Sequence, residues 1–429
     1  MAGSPAPPAP PVSSVVIVGA GQAGADAAAA LRGRGFSGRI TLVGEEEALP
    51  YRRPPLSKGY LGGTVGAGDL ELLPASSYAD QGIDLVLGDR AARIDPEERS
   101  VVLDSGTRLS YDRLVLATGA RPRRLPVPGA DLDGVMTLRG LADADALREA
   151  LRAALRGGGH LLVVGGGFVG LELAATARGM GLEATVVEVG PRLMARAVSP
   201  GMSEHLRAEH LRQGVRVLLR REVTALRGDA SGRVRVAELD GGERVQADLV
   251  VFGVGVRPGA ELAAAAGLEV GDGILVDRWL RTSDPAVHAI GDCARFPSAR
   301  YGRQLRLESV QNASDQARCA AAAICGDPAP YEAVPWFWTE QYATRLQIAG
   351  ITDGHDRTVT VGDPSGGRFS VLCFRGERLL GAESVGRSAD HMIVRRLLAA
   401  EGGPGLSPGE AARPGFDLKE YRGRSRQPA

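Results

Sequence analysis

Lysine is almost missing from this chain of 429 residues. Of its 51 basic side chains only Lys58 and Lys419 are lysine, and all the others are arginine. Cysteine is scarce as well: Cys293, Cys319, Cys325 and Cys373 are the whole supply. Four scattered thiols, none in a CxxC pair, exclude a disulfide scaffold and a thioredoxin-like motif, and point to a reducing, cytoplasmic setting. Cys319 and Cys325 are six apart and do not share a helical face. The 6 histidines are dispersed, and His205 and His210, five apart, have poor helical ligand spacing, so no metal site is expected. Neither sign of charge dominates, with Lys+Arg and Asp+Glu at 51 each, and no global attraction to nucleic acid is expected. No apolar run approaches the ~18 residues that span a bilayer, so no membrane association is expected. The opening "MAGSPAPPAPPVSS" has no charged or apolar region of a secretory signal. Pro-rich and unpatterned, it reads as a disordered tail over 1–12.

Glycine is abundant, at 59 residues, and several are placed where chemistry needs them. "SSVVIVGAGQAGADAAAALRGRG" runs from a β-branched strand through Gly19-Ala20-Gly21-Gln22-Ala23-Gly24 into an Ala-rich helix. In that order the first glycine permits a tight turn, the second lets backbone approach a pyrophosphate, and the third lets helix and strand pack closely. The helix N-terminus then offers free N–H groups and the positive end of its dipole to phosphate. The next strand, "RITLVGEEE", puts Glu45 twenty-one residues beyond Gly24, where a carboxylate accepts hydrogen bonds from a ribose diol. A lone GxGxxG is a weak signal, but strand, glycines, helix, strand and acid together are not.

The pattern repeats. "HLLVVGGGFVGLELAATARGMGLEATVVEVG" carries Gly165, Gly167 and Gly170 between strand and helix, and Glu188 ends the following strand. An acid there favours the free 2′-hydroxyl of NADH over the 2′-phosphate of NADPH. Arg192, close behind, leaves some tolerance for the phosphate. Two such halves predict two dinucleotides, and FAD with NADH makes a hydride path where two nicotinamides would not.

These halves, with "PYRRPPLSKGYL", "LVLATGARPR", "VFGVGVRPGAELAAAAGL", "AIGDCARF" and "VPWFWTEQYATRLQIAG", make the chain resemble the FAD-dependent, NADH-linked ferredoxin reductases. These are of the putidaredoxin reductase, rubredoxin reductase and biphenyl dioxygenase reductase type, and apoptosis-inducing factor is a more distant relative. The resemblance runs from about Val15 to the end. It implies a glutathione-reductase-like α/β fold of two Rossmann-like dinucleotide-binding domains and a small C-terminal α+β domain. The FAD domain is expected over 13–125 and 255–328, the NAD domain over 126–254, and the C-terminal domain over 329–429.

Carried over residue by residue, the resemblance implies that FAD meets Gly19, Gly21, Ala23, Gly24, Glu45, Arg53, Lys58, Ala91, Arg123, Asp292 and Val310. NADH would meet Gly165, Gly167, Gly170 and Glu188. The family also places a glutamate, here Glu172, beside the flavin-domain lysine, so an ion pair of Lys58 with Glu172 is expected near the flavin. A guanidinium is larger and planar and would intrude on the nicotinamide, which accounts for a lysine in a chain that otherwise uses arginine. Trp338 is expected against the flavin where electrons leave, while Trp336 and Phe337 are expected in the core. Arg52 stands where relatives often carry an acid.

Related disulfide reductases keep a CxxxxC pair near the flavin, and this region has none. Electrons must then leave to an outside acceptor. The chain has no iron–sulfur ligand set, so the expected partner is a separate small iron–sulfur ferredoxin or rubredoxin serving a cytochrome P450 or ring-hydroxylating oxygenase. Arg295, Arg300, Arg303 and Arg306 are candidates for a basic docking rim. Two other readings share the sequence features: an NADH oxidase or quinone or radical reductase, and a nucleotide-dependent interaction protein like apoptosis-inducing factor. His288 is expected in a strand core, and "EGGPGLSPGEAARPG" reads as a linker before a tail pinned by Phe416 and Leu418.

Overall fold

A computed structural model describes residues 12–400 and 405–421. Nearly all of the expected N-terminal tail, and residues 401–404 of the expected linker, lie outside the described residues. The chain divides into two compact units. One holds the described residues through Arg52 with Glu71–Ala120 and Arg257–Glu332. The other holds Arg53–Leu70, Arg121–Val256 and the described residues from Ala333.

The first unit is built on a parallel sheet with strand order Val287–Ala289, Arg113–Leu116, Ser14–Val18, Arg39–Gly44, Ile83–Leu87. Its central strands are continuous apolar runs, because a parallel sheet is covered on both faces. Val15, Val16, Ile17, Leu42, Leu114 and Val115 are all buried. Asp112 fixes the start of the first strand by accepting hydrogen bonds from Ser13 and Ser14, from backbone N–H and hydroxyl of each, at 2.7–3.1 Å. The helix Gln22–Gly33 packs on the helix Val310–Ile324. Ala27 and Ala28 on one and Ala317, Ala320 and Ala321 on the other are buried, and small side chains let the two helices approach closely.

The second unit repeats the pattern, in the order Arg216–Leu219, Glu183–Glu188, His160–Val164, Leu249–Phe252, Val135–Met136, again all parallel. An antiparallel five-stranded sheet follows, ordered Trp336–Gln341, Thr344–Gly350, Arg378–Val385, Arg368–Arg375, Arg357–Asp363, with the helix Ser388–Ala399 against it. Leu346, Ile348, Phe369 and Val371 of this sheet share one hydrophobic cluster with Leu161, Leu171, Leu173 and Met202, so the C-terminal layer and the second nucleotide-binding half bury a common core. Leu418 is fully buried in a further cluster, with Phe416 packed against it.

The segment Arg53–Leu70 groups with the second unit, although the sequence places it in the first nucleotide-binding half. The cause is local. Leu61 enters the shared core, the Tyr60 hydroxyl donates to Asp145 at 2.6 Å, and Arg53 donates to the carbonyl of Arg139 at 2.9 Å. Among the described residues no helix is long and apolar enough to cross a membrane.

Candidate active site and its nucleotide cradles

The two glycine motifs have the same geometry. Gly19 sits at φ 115° and Gly165 at φ 109°, a region closed to most side chains. A Cβ on Gly19 would lie 2.1 Å from the carbonyl oxygen of Ala117, and one on Gly165 2.5 Å from that of Gly253. Gly24 and Gly170 lie in the first turns of their helices, where a Cβ would meet the carbonyl oxygens of Gly19 and Gly165 at 1.9 and 2.2 Å. Gly21 and Gly167 differ from the others. Each is the N-cap of its helix, no side chain caps the helix there, and a Cβ would meet nothing within 4 Å. An open space before uncapped N–H groups at the positive end of a helix suits the pyrophosphate of a dinucleotide. Both cradles therefore fit the groups that the sequence implies.

The acids stand where the motif requires. Glu45 follows the strand Arg39–Gly44 directly and is exposed. Glu188 ends its strand, and its carboxylate accepts from the N–H of Gly166 and of Gly190, both at 2.7 Å. Those two bonds fix its orientation and leave lone pairs for a ribose diol. Arg192 donates to the carbonyls of Val198 and Ala195 at 2.6 and 2.7 Å, so its guanidinium is already committed to backbone.

The remaining residues named from the resemblance divide between the units. Ala23 is buried beside the first glycine turn. Ala91 begins a strand, Asp292 lies in a short 3-10 turn, and Val310 opens the helix Val310–Ile324. The second unit holds Arg53 and Arg123, and Arg123 donates to the carbonyl of Val256 at 3.0 Å.

Lys58 and Glu172 are brought together in the second unit. Lys58 Nζ lies 2.7 Å from Glu172 Oε2 and donates also to the carbonyl of Pro54 at 3.0 Å. Glu172, in the second turn of the helix Phe168–Gly179, is 5% exposed, yet its carboxylate has further donors: Ser57 Oγ to Oε2 at 2.5 Å and Thr339 Oγ1 to Oε1 at 2.7 Å. Burying a charge is costly unless it is paired and hydrogen-bonded, and this one is both.

The pyridine nucleotide-disulphide oxidoreductase family model matches residues 13–317, and the reductase C-terminal model matches residues 336–422. The chain belongs to this family. It is 48% identical to rhodocoxin reductase of Rhodococcus erythropolis, over 95% of this chain and 93% of that protein. With putidaredoxin reductase of Pseudomonas putida the identity is 41%, over 90% and 91%. Among solved structures, the ferredoxin reductase for the CYP199A2 system from Rhodopseudomonas palustris superposes with a TM-score of 0.91 at 46% identity, covering 95% of this chain and 99% of that one. The reductase in a covalent putidaredoxin reductase–putidaredoxin complex gives a TM-score of 0.90 at 38% identity, covering 95% and 97%. The α/β fold with two nucleotide-binding halves and a C-terminal domain is thus the family's own, and the chain is an oxidoreductase.

All four cysteines are free thiols. Cys293 and Cys373 are buried, and burial raises the thiol pKa of each. For Cys319 burial pushes it up to about 11, far from a reactive thiolate. Trp338 is partly buried, tilted against Trp336 at a centroid distance of 5.4 Å. Trp336 also stacks edge-on with His391, and Arg395 lies over its ring at 5.0 Å, so it belongs to an aromatic cluster as well as to the sheet, whereas Phe337 packs on the shared core. Arg306, one of the four arginines of the supposed rim, is mostly buried and engaged with Glu308 and Asp272. Ser57 and Thr339 were not singled out in the sequence. Ser57 lies beside Lys58 and was within reach of a motif argument, but Thr339 is 167 residues from Glu172 and carried no signal at all.

Proposed function

We propose that the protein is an NADH-dependent ferredoxin reductase, taking electrons from NADH through FAD to a small iron–sulfur ferredoxin or rubredoxin that supplies an oxygenase. The observation that carries this is two nucleotide cradles of one geometry in a chain whose thiols form no redox pair. When bound, FAD accepts a hydride from NADH and gives up the two electrons one at a time. Gly19, Gly21, Ala23 and Gly24 hold its pyrophosphate on the helix N-terminus, and Glu45 takes the ribose. Arg53, Ala91, Arg123, Asp292 and Val310 complete its contacts. Gly165, Gly167 and Gly170 do the same for NADH. Glu188 accepts from the ribose diol and repels a 2′-phosphate, and Arg192, tied to backbone carbonyls, supplies no guanidinium to offset that repulsion. NADH is therefore the preferred donor.

Lys58 holds a compact positive charge at the reacting ring, and Glu172 holds Lys58. Trp338 stands on the electron exit. The domain organisation we assign is an FAD domain over 13–125 and 255–328, an NAD domain over 126–254 and a C-terminal domain over 329–429. Free thiols throughout favour a cytoplasmic setting. The names of the relatives support the class of partner: rhodocoxin, putidaredoxin and rubredoxin reductases.

Anaerobic stopped-flow of the purified yellow protein tests this. NADH should bleach it rapidly, NADPH far more slowly, and one carrier from a panel of oxidised ferredoxins and rubredoxin should restore the colour within the turnover time. Bleaching that no carrier reverses, with oxygen or a quinone reversing it instead, would overturn the assignment.

A further inference from the structure

The carboxylate of Glu172 is the end of a buried chain of hydrogen bonds. Thr339 Oγ1 donates to Glu172 Oε1 at 2.7 Å, and Gln341 Nε2 donates to Thr339 Oγ1 at 3.2 Å. Gln341 Oε1 lies 2.9 Å from His210 Nε2, and His210 Nδ1 lies 3.2 Å from the hydroxyl of Tyr342. Thr339, Gln341 and His210 are each at most 1% exposed.

The chemistry of the groups fixes the sense of every bond. A carboxylate can only accept, so the Thr339 hydroxyl spends its one proton on Glu172 and must accept from its other neighbour. That makes the Gln341 group facing Thr339 the amide NH₂, and the group facing His210 the carbonyl oxygen. A carbonyl oxygen accepts only, so His210 carries its proton on Nε2. Burial lowers the imidazole pKa, which keeps it neutral, and Nδ1 is left to accept from Tyr342. Four donors thus point one way, from Tyr342 to Glu172. An amide stands in the middle and does not pass protons readily, so the chain sets geometry rather than conducting.

Strand periodicity gives the arrangement its place. Side chains alternate along Trp336–Gln341, which puts Thr339 and Gln341 on the opposite face to Trp336 and Trp338. Tyr342 takes the left-handed φ of 55° in the two-residue loop that follows, a conformation uncommon for a non-glycine residue and held only where its surroundings over-determine it. Its hydroxyl on His210 and its ring against that imidazole, centroids 5.1 Å apart, are such surroundings.

We propose that Thr339 and Gln341 are positioning residues for the Lys58–Glu172 pair, with His210 and Tyr342 continuing the chain in the sense that the carboxylate imposes. By holding Oε1, Thr339 leaves only Oε2 to Lys58, and the ammonium is confined to one position. The inference rests on the reading of Lys58 as a group that acts in hydride transfer from NADH.

Thr339→Val keeps the shape and removes the donor, and Thr339→Ser restores the hydroxyl. With Val, Gln341 loses its acceptor and is free to turn over, which would present NH₂ to His210 and move the imidazole proton to Nδ1. Ring ¹⁵N spectra of the holoprotein, with His210 assigned by its own substitution, should show the Nε2–H tautomer in the wild type and in Thr339→Ser, and Nδ1–H in Thr339→Val. A purely space-filling role would not move that signal. Bleaching by NADH should slow roughly ten-fold in Thr339→Val, the size of one lost hydrogen bond to a charged group, and recover in Thr339→Ser. Should Thr339→Val fail to fold, Tyr342→Phe removes only the last bond of the chain: the Gln341 carbonyl should still hold His210 as the Nε2–H tautomer, with a smaller loss of rate, and an Nδ1–H signal in that variant would overturn the chain. A wild type that NADH does not bleach overturns both this reading and the reductase assignment. A wild type that bleaches, with both variants unchanged in rate, overturns this one alone, as does a Thr339→Ser as slow as Thr339→Val.

Discussion

At Lys58 and Glu172 the balance between desolvation and pairing can be tested by substitution. The lysine side chain is 18% exposed and the glutamate 6%. Removing one member of a buried pair commonly costs about 3–5 kcal/mol, because the survivor is left charged and buried. Here the survivors are not equal. After Lys58→Met the carboxylate keeps Ser57 and Thr339 as donors, and after Glu172→Leu the ammonium keeps, among the described residues, only the Pro54 carbonyl, with its partial access to water. Glu172→Leu should therefore lose about 3 kcal/mol of stability and Lys58→Met less, roughly 2 kcal/mol, and the double variant distinctly less than the sum, a coupling of about 1 kcal/mol or more in urea titrations. Additive losses would mean the pair is no more than two neighbours. Lys58→Arg keeps the charge, yet its wider, planar head cannot occupy the same point, so stability should nearly survive while reduction by NADH does not.

The two glycine cradles separate folding from binding within a single element. Gly170→Ala would force a Cβ to 2.2 Å from the carbonyl oxygen of Gly165 and 3.1 Å from Val163. The helix must move off its strand, and such overpacking costs about 1–3 kcal/mol. Gly167→Ala meets nothing within 4 Å and has an ordinary φ of −89°, so stability should stay within about 0.5 kcal/mol. Its methyl group does fill the space before the helix N-terminus. The dissociation constant for NADH should rise by roughly ten-fold or more, a change of about 1.4 kcal/mol, while the FAD content is unchanged. Calorimetric titration of both variants checks the contrast, and equal affinities for NADH in Gly167→Ala and wild type would show that the pyrophosphate sits elsewhere. These cradles were legible in the sequence because the spacing of their glycines is complete within six residues and lies between a strand and a helix, even though the carbonyls that crowd Gly19 and Gly165, those of Ala117 and Gly253, come from far along the chain. The chain from Tyr342 to Glu172 was not, since it depends on which face of one strand meets a helix far away in sequence. Nor was the grouping of Arg53–Leu70, which is set by tertiary partners such as Asp145.

At the scale of the whole molecule, two buried histidines tie folding to pH. His288, 2% exposed in the first unit, and His391, 1% exposed in the second, have no hydrogen-bond partner for either ring nitrogen among the described residues. Burial pushes the pKa of each down to about 4, helped by Arg113 and Arg281 near His288 and by Arg395 and Arg345 near His391. In the unfolded chain the same rings titrate near 6.5. Below that value the unfolded state binds more protons than the folded one, so stability must fall with pH. The loss begins at about pH 6.5 and is complete near pH 4, at up to ~1.4 kcal/mol per pH unit for each histidine. A carboxylate held low acts in a different window. Asp112, kept at about 2 by the Ser13 and Ser14 donors, contributes in full above the normal carboxylate range and is lost only as pH falls from about 4 towards 2. Acid unfolding should therefore come in two stretches, histidine first and carboxylate second. In urea titrations between pH 7 and 4.5, His288→Leu and His391→Leu should each flatten the decline, and the double variant should leave only the smaller part due to His205 and His210, whose pKa values burial also lowers, with the steeper fall below pH 4 intact. If the wild type is equally stable at pH 7 and 4.5, the two rings take up protons in the folded state without penalty, and their burial has no bearing on acid sensitivity.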